Sequence, residues 1–419
     1  MRHAFFLGAV ILLGSPALAT AQTATDEVVR ALLERIAVLE RRVNTLEAEA
    51  RGPAPPAATA APAVPSGSPA PLRQELHDQR IGDVAQAEYP SLKLTGFSDL
   101  NFSATDQLGT RSGFTEGQFA LHLTSALSPR VAFFGELTLT ARTDAGAGSP
   151  PATGFNAEVE RSIIRFDRND YFKLSFGRYH TPINWWNTAF HHGAWLQTTI
   201  SRPEMTQFGG RFIPVHFVGG LVEGAAPAGG FNVNYKAGLG NGRASLISRA
   251  GDAGDTNNNR AWLFNLFAKP DRPFGLQVGG AAYFDQITLS DAREFDERIL
   301  SAHVVWQRED PEAIFEFADV AHHEIGVPGT LHSPAFYAQV AYRLPWFQHL
   351  WKPYYRYEDI DIPGADRVFR DVASMNGSTL GVRFDISTFA AIKAEYRNIR
   401  RAPSPSRTNG GFFQTSFTF

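Results

Sequence analysis

The last nine residues of the chain, 411–419, alternate between apolar and polar side chains and end on an aromatic residue. Phe413, Phe417 and Phe419 share one parity, with Thr415 between them, and Gln414, Ser416 and Thr418 share the other. This period of two is the period of a pleated β-strand. A strand at the end of a chain exposes an unpaired edge unless another strand covers it. The pattern therefore predicts a terminal strand that closes a barrel by pairing with the first strand, with its phenylalanines facing an apolar medium.

The opposite end of the chain has the pattern of an export signal. Arg2 and His3 precede the apolar run 4–13, and small residues at 17–21 offer cleavage sites. The alternative is a membrane anchor, but the run is much shorter than the roughly 20 residues that span a bilayer. We therefore predict a signal peptide over residues 1–21. The chain contains no cysteine, which excludes disulfides, thiolate metal sites and lipid attachment through a cysteine.

Composition argues against a helical membrane protein. Mean hydropathy is -0.19, charged residues make up 19% of the chain, and no apolar run after the signal approaches spanning length. The chain has 33 Phe, 11 Tyr and 7 Trp beside 37 Gly. That mixture favours strands with an aromatic outer surface joined by tight turns.

Residues 22–51 have a coiled-coil pattern. The apolar residues recur at alternating spacings of three and four: Val29, Leu32, Ile36, Leu39, Val43 and Leu46. The alternative is a single amphipathic helix lying on a surface. The residue types at the seam favour a coiled coil of two helices. A trimeric barrel would instead impose a coiled coil of three helices, and we expect three. Residues 52–90 form a Pro/Ala-rich linker and lead-in. We expect its proline-rich part, 52–71, to be extended, and the sequence leaves open whether 73–87 form a short helix before the first strand.

From Leu92 onward, about sixteen alternating segments recur with turn residues between them. Short and long connections alternate along the chain, with short ones near 128–129, 168–170, 226–229, 269–273, 310–311, 345–349 and 387–388. Short turns are typical of the periplasmic end and long loops of the outer end. The fold class is therefore all-β, and residues 91–419 are predicted to form a sixteen-stranded antiparallel transmembrane β-barrel with both ends in the periplasm.

One connection is far longer than the others. Residues 180–210 form a stretch of about thirty residues without a strand, well beyond ordinary loop lengths. The stretch is rich in aromatic and apolar residues, which argues against disorder. We expect this loop to fold against another part of the protein.

The strand count, the terminal Phe419, the long third external loop and Gly177-Arg178 before it resemble the Gram-negative outer-membrane porins. The resemblance extends from about Leu92 to Phe419, and among porins the chain is most similar to phosphate- and dicarboxylate-selective types with a periplasmic coiled coil. It implies a trimer, a third loop that constricts the lumen, and an assembly signal at Phe419. The implied function is passive diffusion of small hydrophilic solutes across the outer membrane.

Residues at the constriction are predicted from strand parity and from the composition of the loop. The candidates are Arg161, Arg165, Lys173, Arg178, His180, Trp185, Trp186, His191, His192, Arg202, Arg211, Arg356, Lys393 and Arg397. An excess of basic residues on a lumen wall would favour anions such as phosphate or carboxylates. Alternatively, Glu358 and Glu395 pair with neighbouring arginines and leave the channel nearly unselective.

The sequence gives less support to other functions. His191-His192 and His322-His323 raise the possibility of a metal site, but adjacent histidines point apart, so we expect no metal and no cofactor. An outer-membrane hydrolase would need a nucleophilic serine, and the chain has no Gly-x-Ser-x-Gly motif. The coil and linker favour an envelope tether as an alternative, with peptidoglycan or a periplasmic protein as partner. Lipid is the expected surroundings of the barrel, and no nucleic acid is expected as a partner.

Overall fold

A computed structural model describes residues 89–141, 154–190, 192–208, 210–248 and 254–419. In these residues, consecutive strands pair antiparallel and β16 pairs with β1, which closes the barrel. The strands are β1 (Lys93–Thr105), β2 (Gly113–Ser128), β3 (Val131–Ala141), β4 (Phe155–Asn169), β5 (Phe172–His180), β6 (His216–Ala226), β7 (Val233–Asn241), β8 (Ala261–Ala268), β9 (Leu276–Thr288), β10 (Glu294–Gln307), β11 (Glu312–Glu324), β12 (Leu331–Ala341), β13 (Trp351–Ile360), β14 (Met375–Ser387), β15 (Ala390–Arg401) and β16 (Arg407–Thr418). The predicted signal peptide, the coiled coil and the linker and lead-in up to residue 88 lie outside the described residues.

The terminal strand closes the barrel as its sequence pattern predicts. β16 pairs with β1 from Phe97 opposite Thr418 to Thr105 opposite Gly410. The backbone amides of Gly96 and Phe419 each donate to the other residue's carbonyl. Within β1, the segment that pairs with β16 begins at Phe97, because residues 93–95 pair only with β2.

Alternation along the strands separates an apolar outer surface from a polar interior. Leu100, Phe176, Leu266 and Phe413 are exposed on the outside. Polar and charged side chains of opposite parity, such as Glu316, are buried inside. This separation allows the outer surface to face lipid while the inner surface holds water or protein.

The seven predicted short turns join β2 to β3, β4 to β5, and so on to β14 and β15. The longer connections lie at the other end of the barrel, apart from short ones such as that between β9 and β10. Among the described residues, the helices are brief, and none has the length and apolar character needed to cross a membrane.

The long loop runs from 181 to 215, five residues beyond the predicted end at 210. The extension has a packing reason, since Phe212 and Ile213 are buried and Pro214 has no backbone donor for a strand ladder. In the described parts of the loop, 181–190, 192–208 and 210–215, there are a short helix, α1 (Trp186–Ala189), and a 3₁₀ turn, Glu204–Thr206.

The main apolar core lies inside the barrel, between this loop and the wall. Loop residues including Ile183, Trp186 and Ile213 pack in the same cluster as wall residues including Tyr283 and Tyr337. A lumen filled with water would leave these side chains hydrated, so burying them stabilises the loop in its inward position.

Candidate functional site

A β-bulge in β4 directs two consecutive charged residues into the lumen. Arg161 lies opposite Glu136, but Val159 lies opposite Leu137, so Glu160 is an extra residue in the ladder. Glu160 and Arg161 are both buried, whereas a regular strand would point them to opposite faces. Bulges commonly redirect a side chain in this way next to functional sites.

Three histidines converge on Glu160 where the long loop leaves the wall. His180 ends β5 and His216 begins β6, and the two residues are direct cross-strand partners. His192 comes from the loop itself. One potential ligand atom from each of the four side chains lies within 4.8 Å of the others. We call Glu160, His180, His192 and His216 the histidine cluster.

Hydrogen-bond and ion-pair distances within the histidine cluster are short. The Glu160 Oε2 atom lies 2.7 Å from His216 Nε2 and 3.4 Å from His192 Nε2. The ring centroid of His180 lies 5.6 Å from that of His192 and 5.7 Å from that of His216. The cluster therefore joins two stems of the loop, one residue of its interior and the wall.

Neighbouring side chains orient the imidazoles. His192 Nδ1 lies 3.0 Å from Gln118 Oε1, and a guanidinium nitrogen of Arg178 lies 3.1 Å from His216 Nδ1. His180 Nε2 lies 3.4 Å from a carboxylate oxygen of Glu136.

Glu136 is itself an acceptor at the centre of a small network. It accepts from Arg161 Nε at 2.6 Å and lies 2.7 Å from His122 Nε2. All three side chains are buried. This network fixes the wall beside the histidine cluster, because a buried carboxylate with several donors has one strongly preferred position.

The far side of the lumen holds the loop through basic residues of β13, β14 and β15. Arg356, Arg383 and Lys393 each donate to at least two loop carbonyls. The contacts are Arg356 to Ser201 (2.9 Å) and Arg202 (3.1 Å), Arg383 to Trp195 (2.7 Å) and Gln197 (3.0 Å), and Lys393 to Ala194 (2.5 Å) and Thr199 (3.1 Å).

Carboxylates on the same side accept from the loop. Glu316 accepts from the backbone amides of Trp185 and Trp186, the latter at 2.9 Å. Three further glutamates act likewise: Glu312 from Thr198 Oγ1 (3.0 Å), Glu358 from the Glu204 amide (2.6 Å) and Glu395 from the Ile200 amide (3.0 Å). We call Arg356, Arg383, Lys393, Glu312, Glu316, Glu358 and Glu395 the wall anchor.

The structure places several predicted constriction residues between the loop and the wall. Arg356 and Lys393 have no exposed surface. Arg356 Nε pairs with Glu358 at 3.1 Å, and Arg397 Nε pairs with Glu395 at 2.5 Å. Each pair joins two residues of the same strand, and both pairs match the arginine–glutamate pairing of the less selective alternative. Much of the basic character of this wall is therefore used in these pairs and in the contacts with the loop.

The other predicted residues are distributed over the loop and β4–β5. Arg165 pairs with Asp167 at 2.6 Å. Arg202 lies buried over the Phe208 ring, 4.0 Å from its centroid. Trp185 and Trp186 are buried and Arg211 is exposed. His191 lies outside the described residues.

A cavity of about 840 Å³ lies between the loop and the short-turn end of β4–β9. Its lining includes Lys173, Lys236 and Lys269, together with the acidic Glu223. A second cavity of about 80 Å³ shares Glu223 and Lys236 with it and reaches His180. The two cavities bring the short-turn end of the lumen close to the histidine cluster.

Of the four cluster residues, His180 and His192 are among those predicted from the sequence, whereas Glu160 and His216 are not. The bulge hides Glu160, because strict alternation from Arg161 places it outside. A signal for His216 did exist: it begins the strand after the long loop, as His180 ends the strand before it. Two histidines at the two ends of one loop are cross-strand neighbours whenever the flanking strands pair. The paired histidines at 322–323 do point apart, His322 lying buried between Glu297 and Asp366, while His323 reaches the carbonyl of Gly329.

No family model matches the chain, and no curated protein matches it significantly. Solved structures do resemble it. The outer-membrane channel DcaP of Acinetobacter baumannii has 9% identity and a TM-score of 0.54, covering 79% of this chain and 97% of that one. The trimer form of OmpT, an outer membrane protein of Vibrio cholerae, has 13% identity and a TM-score of 0.52, covering 79% and 100%. OmpF of Salmonella typhi, in complex with daunomycin, has 11% identity and a TM-score of 0.53, covering 79% and 98%. The chain thus has the barrel fold of Gram-negative outer-membrane porins.

Proposed function

We propose that the protein is an outer-membrane porin, a passive diffusion channel for small hydrophilic solutes. The observation that carries this proposal is the closed barrel with an apolar exterior, a polar interior and a loop bound across its lumen. A chain of this construction is stable only with lipid outside it. No energy source is needed, because solutes move down their own gradients.

The loop at 181–215 is the proposed constriction. It reaches β2 through His192, β11 through Thr198 and β15 through Ile200, so it extends across the lumen rather than lining one strand. The residues that remain accessible beside it set the size and charge of passing solutes. Lys173, Lys236 and Lys269 in the 840 Å³ cavity are the proposed first contacts from the short-turn end.

The proposed ion preference is a weak one for anions. Lys236 pairs with Glu223 at 3.4 Å, and Arg165 lies 3.8 Å from the same carboxylate. Ion pairs of this kind reduce the field that a passing ion experiences. The pairing in the wall anchor argues in the same direction. We therefore expect phosphate or carboxylates to be favoured only modestly over cations.

A homotrimer is the proposed assembly. One of the similar structures is described as a trimer form. On this chain, an outer apolar groove spans β1 and β14–β16 and includes the small residues Ala104, Gly381, Ala394 and Gly411. Small side chains permit close approach of a second copy within the membrane. Mass measurement of the detergent-solubilised protein tests this state, and a monomeric mass would contradict it.

The channel proposal is tested in planar lipid bilayers. Purified protein should produce stepwise, ohmic conductance increments, and mixed-salt reversal potentials should reveal a small preference for the anion. Phosphate, a dicarboxylate and a neutral sugar added in turn distinguish a general pore from one with a saturable site. Absence of any conductance steps from protein with heat-modifiable gel migration would contradict the channel function.

The predicted coil and linker support a second function, that of an envelope tether. The heptad pattern at 22–51 and the linker at 52–90 carry this proposal from the sequence. Deleting 23–71 should reduce co-sedimentation of the barrel with cell-wall material and leave the conductance unchanged. Unchanged co-sedimentation would contradict the tether.

A further inference from the structure

We propose that the histidine cluster binds one divalent transition-metal ion, with Zn²⁺ as the best match, and that this ion fastens the long loop to β4. The four ligands would be Glu160, His180, His192 and His216. Three imidazoles and one carboxylate form a donor set that Zn²⁺ accepts in tetrahedral geometry. Ca²⁺ and Mg²⁺ favour sites built wholly from oxygen and are disfavoured here.

The spacing of the donor atoms fits a small ion. Tetrahedral Zn²⁺ with bonds of about 2.0–2.1 Å places its donors about 3.3–3.5 Å apart. His192 Nε2 already lies 3.4 Å from Glu160 Oε2. The other donor atoms lie within 4.8 Å of one another. Small side-chain rotations can bring them to the shorter separation that the ion requires.

The hydrogen bond between His192 and Gln118 adds a chemical argument. Gln118 Oε1 is an acceptor, so it fixes the proton of a neutral His192 on Nδ1. The Nε2 lone pair then faces the Glu160 carboxylate at 3.4 Å. Two electron-rich atoms at this distance in a buried site repel each other unless a proton or a cation lies between them. A metal ion bound by both atoms removes this repulsion.

His216 has to change tautomer for the ion to bind. The Arg178 guanidinium can only donate, so His216 Nδ1 accepts from it and the ring proton lies on Nε2, facing Glu160. Metal binding through Nε2 displaces this proton, and Nδ1 of the neutral ring becomes protonated. Arg178 then keeps its 2.9 Å contact with Glu158 and gives up the one with His216. Binding of the ion thus costs His216 its hydrogen bonds with Arg178 and Glu160. The loss of these two hydrogen bonds lowers the affinity for the ion.

The short-turn end is the proposed side of approach for the ion. The cavity of about 80 Å³ is lined by His180 and shares lining residues with the larger cavity, and no wall-anchor residue lines either of them. An ion in the larger cavity would therefore approach the cluster at His180. The consequence for the molecule is a cross-link at the base of the loop, joining β4, β5, β6 and the loop interior.

The test uses untagged full-length protein folded in detergent, with Zn²⁺ titrated against a chromophoric chelator. We expect one Zn²⁺ per chain, and Co²⁺ in its place should give the intense visible absorption of a tetrahedral site. His192→Gln should lower Zn²⁺ affinity by more than about 100-fold, and Gln118→Ala by about 10–100-fold. The matched control is His303→Gln, a buried lumen histidine on β10 outside the cluster, which should leave affinity unchanged.

Heat-modifiable gel migration verifies that each variant is folded, and Glu160→Gln removes a second ligand independently of the loop. Wild-type protein without stoichiometric Zn²⁺ binding would overturn the proposal. Equal affinity in wild type, His192→Gln and Glu160→Gln would also overturn it. Because binding is measured without a membrane, its failure is distinguishable from failure of the channel function.

Discussion

The long loop is held by two regions of the barrel that use different chemistry. At the wall anchor, donors meet acceptors: guanidinium and ammonium groups reach loop carbonyls, and carboxylates reach loop amides. At the histidine cluster, imidazole nitrogens converge on one carboxylate. The hydrogen bonds of the wall anchor form as the chain folds. The histidine cluster, in contrast, needs an additional proton or a metal ion between its electron-rich atoms. The loop is thus fixed at its far side, whereas its attachment at the base depends on what binds there.

The largest effect should follow from removing Arg356. Arg356→Met takes donors away from the carbonyls of Ser201 and Arg202 and removes the partner of Glu358. Breaking a buried pair on one side costs about 3–5 kcal/mol. The far half of the loop should detach, and single-channel conductance should rise severalfold with added noise. Arg407→Met is the control, since its contacts on Asn376 and Asn398 lie away from the loop; equal conductance in wild type and Arg356→Met would show that the wall anchor does not hold the constriction.

A smaller effect is expected from Gly177→Ala, which disturbs the strand pair beneath the histidine cluster. Gly177 has a φ of +148°, and a Cβ there would lie 1.9 Å from the Ser162 carbonyl oxygen. Overpacking of this kind typically costs about 1–3 kcal/mol. The temperature at which the folded gel band is lost should fall. Gly113→Ala, which would meet open space at the start of β2, should leave that temperature unchanged, and equal shifts in the two variants would contradict the packing argument.

The wall anchor extends to the short-turn end through an acid-sensitive group. Burial by itself raises the pKa of Glu309. The Lys352 ammonium and the Arg343 guanidinium, each 3.0 Å away, lower the pKa by more than burial raises it, so it lies below the ordinary range. The folded barrel therefore binds this proton less readily than the unfolded chain. The resulting stabilisation is present at neutral pH and is lost as pH falls from about 4.3 through the lower folded pKa.

Glu309→Gln should accordingly lower the gel-band melting temperature at pH 7 and narrow the difference between pH 7 and pH 3. Asp310→Asn is the neighbouring control, because Asp310 is exposed and lies 3.9 Å from its arginine partner. A Glu309→Gln protein that keeps the full acid sensitivity of wild type would refute this account of the turn.

The smallest effect should come from the exposed rim of the loop. Arg401 contacts both carboxylate oxygens of Glu204 at 2.7 Å, but its side chain is 47% exposed. Such pairs contribute about 0.2–1 kcal/mol and are screened by salt. Arg401→Gln should change conductance slightly at low salt and not at high salt. A large change that persists at high salt would contradict this, and would show that Arg401 holds the loop as strongly as the wall anchor does.

The barrel could be predicted from the sequence because its rules are local. The period of two in the terminal strand is sufficient to place Phe413, Phe417 and Phe419 outside, and turn residues mark the seven short connections. The inward position of the loop was also predictable in outline, since an aromatic stretch such as 183–190 cannot remain in water.

The partners of the loop could not be predicted, because they depend on contacts between distant residues. Arg356 meets Ser201 across 155 positions of sequence, and nothing local to either residue specifies the other. Alternation also fails at the bulge, where Glu160 turns inward beside Arg161. An inward Phe97 that packs in one cluster with Trp195 is a further departure, since parity alone gives that position a polar environment. The basic residues expected to face passing anions are found partly holding the loop.

The most direct test of the account replaces the loop and leaves its stems. His180 and His216 are cross-strand partners, so residues 182–214 can be replaced by a short Asn-Gly turn without separating β5 from β6. Single-channel conductance is then compared with that of wild type in the same bilayer and salt. Stepwise conductance is expected in both proteins, with increments severalfold larger without the loop. Equal conductance would contradict the claim that this loop, held at the wall anchor and the histidine cluster, is the constriction.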